Sequence, residues 1–150
     1  WKRNKGNIIV DGLSIEGYKN SPIIEFSTLY KSYTFKVFAA FYVSADTVYD
    51  GGFNYKVIDF NSDAKFNAYI NEIKLRSFIN TDVSVQTADK IVTLVTPSNE
   101  FEGAQFVVMG RMVRSNESAS VDVDAATLNE SPKYPQAWYD SKGMQNPFNK

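Results

Sequence analysis

The apolar residues of this 150-residue chain fall into short runs of strand length, with polar and turn-forming residues between them. The longest run, YTFKVFAAFYVSA over residues 33–45, begins with Tyr33, Phe35 and Val37 in alternation, which is typical of a half-buried strand. Together with the preceding PIIEFST run, it predicts a long β-hairpin over residues 22–45. A chain with this pattern is expected to fold as a mainly β domain.

Three further runs predict strands. They are GNIIVD at residues 6–11, KIVTLVT at residues 90–96 and AQFVVMGRMV at residues 104–113. KIVTLVT is apolar almost throughout, which is expected of a central strand with neighbours on both sides.

One segment has a helical period instead. Its apolar residues follow the spacing i, i+3, i+4, i+7, at Phe66, Tyr69, Ile70 and Ile73. Ser62 is a suitable N-cap, because its hydroxyl can accept from a backbone N–H of the first turn. The pattern predicts one amphipathic helix over about residues 62–76, lying on the outside of a sheet or barrel.

The character of the sequence changes from Ser115 onward. The segment is rich in Ser, Asn and Asp and has no core-forming period, yet it carries the large aromatic residues Tyr134, Trp138, Tyr139 and Phe148. We predict a β domain over residues 1–114 and an extended C-terminal tail over residues 115–150, packed on that domain with its rings as anchors.

The sequence contains no Cys and no His, and these two zeros exclude much chemistry. Without a thiol the chain has no Cys nucleophile, no disulfide and no thiolate metal site. Without an imidazole it has no Ser-His or Cys-His pair and no His-ligated zinc. We therefore expect no metal site, no cofactor and no catalysis that depends on Cys or His.

The charge balance argues against a general nucleic-acid binder. Lys and Arg number 16 and Asp and Glu number 17, which gives a net charge of −1 rather than a basic footprint. No apolar run approaches the roughly 18–20 residues that a membrane span needs. Because the chain begins at Trp1 without a signal peptide, we expect membrane contact only through an N-terminal anchor that is not in this chain.

The long strand, the helix and the strands after it resemble class B sortases, which are bacterial surface transpeptidases. The resemblance is carried by YTFKVFAAFYVSAD, by the helix followed by Arg-Ser, DV and DKIVTLVT, and by EFEGAQFVVMGRMVR. The tail PKYPQAWYDSKGMQNPF is similar to the C-terminal extension of some clostridial-type members. The resemblance covers roughly residues 33–150 and implies a sortase-like closed β-barrel, with the one helix and the extended tail described above.

The resemblance also implies where the catalytic residues would be. In the family, the strand with the TL-T pattern ends in the nucleophilic Cys, and here Thr96 is followed by Pro97. The family's oxyanion-stabilising Arg lies in an A-R-F context, where this chain has Gln105. Arg111, further along the same strand, is an alternative alignment. A Gln side chain donates hydrogen bonds but carries no charge, so its support for an oxyanion is weaker.

The family's His has two possible counterparts here. On one alignment, residues 11–14 cover the turn that bears it and Leu13 takes its place. On the other alignment, the segment that bears the His is deleted. Both alternatives stay open at this point, and both leave the chain without an imidazole.

These departures predict a catalytically inactive sortase-like surface domain, and therefore not an enzyme, on the outside of a Gram-positive-type cell. The domain would be retained for a structural role or for binding a sorting-signal-like peptide or another cell-surface protein. The possible peptide groove is bordered by Thr96, Pro97, Ser98 and Gln105.

Two other functions remain as alternatives. One is an active class B sortase-type transpeptidase with an unconventional nucleophile, Ser98 or Thr96, activated by a nearby Lys. The other is a nucleic-acid or glycan-binding β-barrel, which would use the aromatic hairpin from Tyr30 to Phe38, where Lys31 and Lys36 alternate with rings.

Overall fold

The computed structural model describes residues 15–149, except for the side chain of Tyr49. The strands along the chain are β1 (Ile23–Ser27), β2 (Ser32–Ser44), β3 (Ile79–Asn80), β4 (Ile91–Pro97), β5 (Ala104–Met112) and β6 (Thr127–Leu128). The helices are α1 (Ile15–Asn20), α2 (Asp63–Arg76) and α3 (Gln136–Lys142), and a 3-10 turn spans Thr47–Asp50. The predicted strand at residues 6–11 and the turn around Leu13 lie outside the described residues.

The predicted hairpin is confirmed. β1 pairs antiparallel with β2, and Ile24 lies opposite Phe35. The backbone N–H of Thr28 donates to the carbonyl of Lys31 at 2.8 Å and closes the turn. β2 then continues along β5, with a register shift between Val37 and Ala39 that marks a bulge. A bulge of this kind bends the strand and increases its twist, which helps the sheet to curl.

The larger sheet has the order β1-β2-β5-β4 and curls into a half-barrel. Its outer strands, β1 and β4, do not pair with each other, and β3 and β6 form a separate two-stranded sheet. A closed barrel requires every strand edge to be paired. The prediction of a closed barrel is therefore wrong for residues 15–149, although the mainly β architecture is confirmed.

The positions of two strands also differ from the sequence-based expectation. β2, predicted to be half-buried, is buried at every residue from Phe35 onward. β4, predicted to be central, lies at the edge of the four-stranded sheet and exposes every second residue. Apolar side chains on both faces of β2 therefore reflect two packed layers, one on each side of the sheet.

The predicted amphipathic helix is confirmed as α2. The hydroxyl of Ser62 caps it by accepting from the backbone N–H of Lys65 at 3.3 Å. Phe66, Ile70 and Ile73 are buried against the sheet, as the spacing required. The helix lies on the same face of the sheet as Phe41 and Met109.

The tail contains a helix that the sequence did not predict. α3 ends at Gly143, whose φ of 64° is left-handed and favours glycine at a helix C-terminus. The ring of Tyr134 stacks on Trp138 at 4.0 Å and contacts Phe78 at 5.7 Å. These rings anchor the tail on the face of the sheet opposite α2, with residues 136–142 in helical rather than extended form. None of the helices in the described part of the chain is long and apolar enough to cross a membrane.

Candidate functional site

A cleft of about 880 Å³ lies between β4 and the segment that leads into α2. We call it the β4 groove. One wall consists of Ile91, Thr93 and Val95, and the other of residues 55–63, with rings of α2 between them. A cleft of this size falls within the range of sites that hold small ligands and short peptide segments.

The pairing of β4 with β5 determines which residues face the groove. The N–H of Ser98 donates to the carbonyl of Ala104, and the N–H of Met112 donates to the carbonyl of Lys90. In an antiparallel ladder the hydrogen-bonded residues alternate, so the even-numbered residues of β4 bond to β5. The backbone groups of Thr93, Val95 and Pro97 therefore point away from β5.

This alternation explains how β4 accommodates a proline. Pro97 has no N–H, and at an odd-numbered position that N–H would have pointed away from β5. Its absence therefore removes no bond from the ladder. Pro97 is exposed and is the last residue of the strand.

Aromatic side chains pack against one another along the second wall of the groove. Phe60 contacts Phe66 and Tyr69 at ring distances of 5.2 and 5.0 Å. The hydroxyl of Tyr69 donates to the backbone carbonyl of Tyr55 at 2.6 Å, and burial raises the pKa of Tyr69 to about 12. Ile58, in contrast, is 97% exposed and forms an apolar rim.

A buried ion pair anchors the start of this wall. The guanidinium of Arg76, at the end of α2, pairs with the carboxylate of Asp50 and with Glu72. The ring of Phe53 lies 4.2 Å from the same guanidinium. These contacts hold the glycine turn at residues 51–52, from which the chain runs to Tyr55.

Pro97 and Gln105 are neighbours just beyond the Val95 end of the groove, outside the residues that line it. They are directly opposite in the ladder of β4 and β5, so their side chains lie on one face of the sheet. The hydroxyl of Tyr55 donates to Oε1 of Gln105 at 3.0 Å. The second wall of the groove is thus joined to the strand that carries Gln105.

The other two predicted groove residues have different surroundings. Thr96 lies opposite Phe106, on the face of the sheet turned away from the groove. The hydroxyl of Ser98 accepts from the backbone N–H of Glu100 at 3.3 Å. The structure therefore brings together Pro97 and Gln105 but not the side chains of Thr96 and Ser98.

The sequence did not identify residues 55–61 as part of a site. This segment has neither a strand nor a helix period. The available signal was the cluster of apolar residues Val57, Ile58 and Phe60 in a loop that precedes a helix cap, where polar residues are the rule.

The aromatic hairpin has less exposed surface than the nucleic-acid or glycan alternative needs. Tyr30 is 95% exposed at its tip, but Phe35 and Phe38 are buried in the core. Lys36 is also buried, and its ammonium donates to Glu117 at 3.0 Å. These rings and this cation are therefore turned away from a ligand on the surface.

A charged cluster lies at the end of β5 opposite to Gln105, where Arg111 is paired with Ile91 of the groove wall. Arg111, which is 2% exposed, makes two hydrogen bonds to the carboxylate of Glu117 and one to the carbonyl of Ser84. The bond to Arg111 lowers the pKa of Glu117 far below its usual range, against the opposing effect of burial. The cluster holds the chain after β5 against the sheet.

No protein-family model matches the chain. Sortase B of Staphylococcus aureus (strain NCTC 8325 / PS 47) is 29% identical over 110 residues, which are 72% of this chain and 43% of the relative. The crystal structure of Staphylococcus aureus Sortase B matches with a TM-score of 0.60 at 30% identity, covering 73% of this chain and 50% of that one. A sortase B from Bacillus anthracis has a TM-score of 0.58 at 26% identity, covering 73% and 46%.

Two of the matching structures hold a substrate or a short peptide. One is a Staphylococcus aureus sortase B–substrate complex and the other is a Sortase B complexed with triglycine. Each has a TM-score of 0.60 and is 28% identical to this chain.

The prediction that the chain is not an enzyme is wrong. It rested on the missing Cys and His, whereas the relatives are cysteine transpeptidases and one of them is solved with its substrate. The chain spans about half the length of these relatives. The residue types missing from 150 positions therefore do not decide what class of protein it is.

The sequence match and the structural match agree with each other. Both cover more than two thirds of the chain. By sequence and by structure, this chain is a homologue of the class B sortases.

Proposed function

We propose that the β4 groove binds an extended peptide of the sorting-signal type, as the recognition part of a sortase B-type transpeptidase at the cell surface. Substrate and triglycine complexes of matching sortases support a peptide ligand.

The observation that carries the proposal is the groove itself. Val95 is 41% exposed beside a cleft of about 880 Å³, although most apolar residues of the sheet are buried. One wall of the groove is a strand with every second residue exposed, and the other wall carries aromatic rings. This arrangement suits an extended peptide, whose side chains also alternate. The exposed Ile58 offers the peptide further apolar contact at the rim.

In this proposal Pro97 and Gln105 mark the end of the groove where the relatives carry out their chemistry. The family resemblance assigns them to the Cys and Arg positions, and their direct pairing on one face of the sheet supports that assignment. The side chains of Thr96 and Ser98 lie outside the groove, and their backbone groups bond to β5. The hydroxyl of Thr96 donates to the carbonyl of Pro97 and that of Ser98 accepts from the N–H of Glu100, and neither partner activates a nucleophile.

An NMR titration of the ¹⁵N-labelled chain with triglycine and with acetyl-pentaglycine amide tests the proposal. We expect the backbone amide signals of Thr93, Val95 and Ile58 to shift with increasing peptide. Val95→Arg should weaken binding at least about tenfold, because the long cationic side chain fills the groove.

Val48→Arg is the matched control, since Val48 is 81% exposed and lies outside the groove. It should bind as the unchanged chain does. Shifts confined to another surface, or equal binding by the two variants, would show that the groove is not the peptide site.

A further inference from the structure

The bond between Tyr55 and Gln105 constrains the end of the groove. Tyr55 is only 8% exposed, and its backbone carbonyl accepts from Tyr69. Its hydroxyl donates to Oε1 of Gln105. These contacts fix the position of the Tyr55 hydroxyl, and from that position it donates to Gln105.

That bond also determines which end of the Gln105 amide is free. A carboxamide has one acceptor atom and one NH₂ group, and Tyr55 occupies the acceptor. In residues 15–149, no buried side-chain nitrogen or oxygen lacks a hydrogen-bond partner. No described residue accepts from Nε2 of Gln105, so this NH₂ group reaches solvent on the side away from Tyr55.

The free NH₂ group lies where a bound peptide would end. Gln105 is opposite Pro97, which continues the row of groove-facing residues formed by Thr93 and Val95. Pro97 itself offers no N–H there. A peptide carbonyl at this end therefore has one side-chain donor from β5 available to it.

We infer that Tyr55 is a positioning residue: it orients the Gln105 amide so that its NH₂ group donates to a carbonyl oxygen of the peptide. The inference rests on the proposed function of the groove. On this inference, this end of the groove selects a peptide carbonyl rather than a peptide N–H because of Tyr55, which lies on the opposite wall. Without that hydroxyl the amide turns freely and presents either end.

The test follows the side-chain NH₂ signal of Gln105 during titration with triglycine. In the unchanged chain this signal should move together with the backbone signals of Thr93 and Val95. Tyr55→Phe should weaken binding about three- to tenfold, which is the scale of one neutral hydrogen bond. Gln105→Glu should weaken it at least as much, because a carboxylate accepts from Tyr55 but has no N–H to donate.

A double variant and a control make the test specific. Tyr55→Phe combined with Gln105→Glu should bind no more weakly than Gln105→Glu alone, because both changes remove the same contact. Tyr30→Phe, at the exposed hairpin tip, should bind as the unchanged chain does. Thermal unfolding of each variant verifies that it is folded. The shift of the Gln105 NH₂ signal is measured on the unchanged chain, so this part of the test does not depend on any variant folding.

The possible failures are distinguishable. If triglycine shifts Thr93 and Val95 but leaves the Gln105 NH₂ signal in place, or if Tyr55→Phe binds normally, the positioning role is overturned and the peptide groove stands. If no groove signal responds to triglycine or to acetyl-pentaglycine amide, the proposed function and the inference that rests on it are both overturned.

Discussion

β2 and β4 are both apolar strands of the same sheet, yet they have opposite surroundings. β2 lies between β1 and β5 and is buried at every residue from Phe35 onward. β4 has β5 on one side, and its Thr93, Val95 and Pro97 are exposed. The difference lies in their neighbours rather than in their composition.

This contrast separates stability from recognition. Phe41 and Val43 of β2 are 0% and 1% exposed and pack beneath α2, so their removal leaves a cavity. Val95 of β4 lines the groove, so truncating its side chain should remove contact with a ligand and little contact within the protein. The core strand should therefore govern folding, and the edge strand should govern binding.

The largest expected effect comes from the centre of β2. Phe41→Ala should lower the free energy of unfolding by about 3–5 kcal/mol, because it removes a fully buried ring. Urea denaturation followed by tryptophan fluorescence measures the change. Phe26→Ala, at a 54% exposed position on β1, is the control and should change stability by less than about 0.5 kcal/mol. Similar losses in both variants would contradict the distinction between the centre and the edge of the sheet.

A matched pair of valines sharpens the same comparison. Val37→Ala should cost about 2 kcal/mol of stability and leave peptide binding unchanged, since it removes two buried methyl groups on the face of the sheet opposite the groove. Val95→Ala should cost less than about 0.5 kcal/mol but weaken triglycine binding.

Urea denaturation and NMR titration of both variants supply the two measurements. If one of the two variants shows both the larger loss of stability and the larger loss of peptide binding, the distinction between the core strand and the edge strand is wrong.

Local patterns predicted the parts of this molecule that depend on local causes. Ser62 and the spacing that begins at Phe66 indicated α2, because a cap and a 3.6-residue period are properties of a single segment. The hairpin of β1 and β2 followed from two apolar runs with a polar tip between them. Both are present in the structure.

Other features depend on distant parts of the chain. The edge position of β4 follows from its pairing with β5 alone, and an apolar run such as KIVTLVT is compatible with either position. The groove wall at Tyr55 and Phe60 has neither a strand nor a helix period in its sequence. Rings of α2 and the ion pair of Arg76, which are distant in the sequence, hold it in place. Only the three-dimensional structure shows that Tyr55 reaches Gln105.

A smaller effect is expected at the charged end of β2 and β5, where Lys36 and Arg111 share Glu117. The bond from Arg111 holds the pKa of Glu117 below its usual value of 4.5 in the folded chain. Because this pKa is lowered on folding, the stabilisation is present above pH 4.5 and is lost as the pH falls below it. Glu117→Gln should lower stability at pH 7 and flatten the decline of stability below pH 4.5.

Urea denaturation at a series of pH values measures this decline, with Glu102→Gln at an exposed position as the control. A decline as steep in Glu117→Gln as in the unchanged chain would assign the acid sensitivity to other carboxylates.

The smallest effect is expected at Pro97, and it tests the position of β4 directly. Pro97→Ala restores an N–H that points away from β5, so the ladder gains no bond. The unfolded chain becomes more flexible, which should lower the free energy of unfolding by less than about 1 kcal/mol. Pro135→Ala, at a position less than 2% exposed, is the matched control and should cost more because it leaves a cavity. Thermal unfolding of both variants gives the ranking. A larger loss at Pro97 than at Pro135 would mean that the ring of Pro97 is packed rather than exposed at the end of the groove, and the contrast between β2 and β4 would no longer hold there.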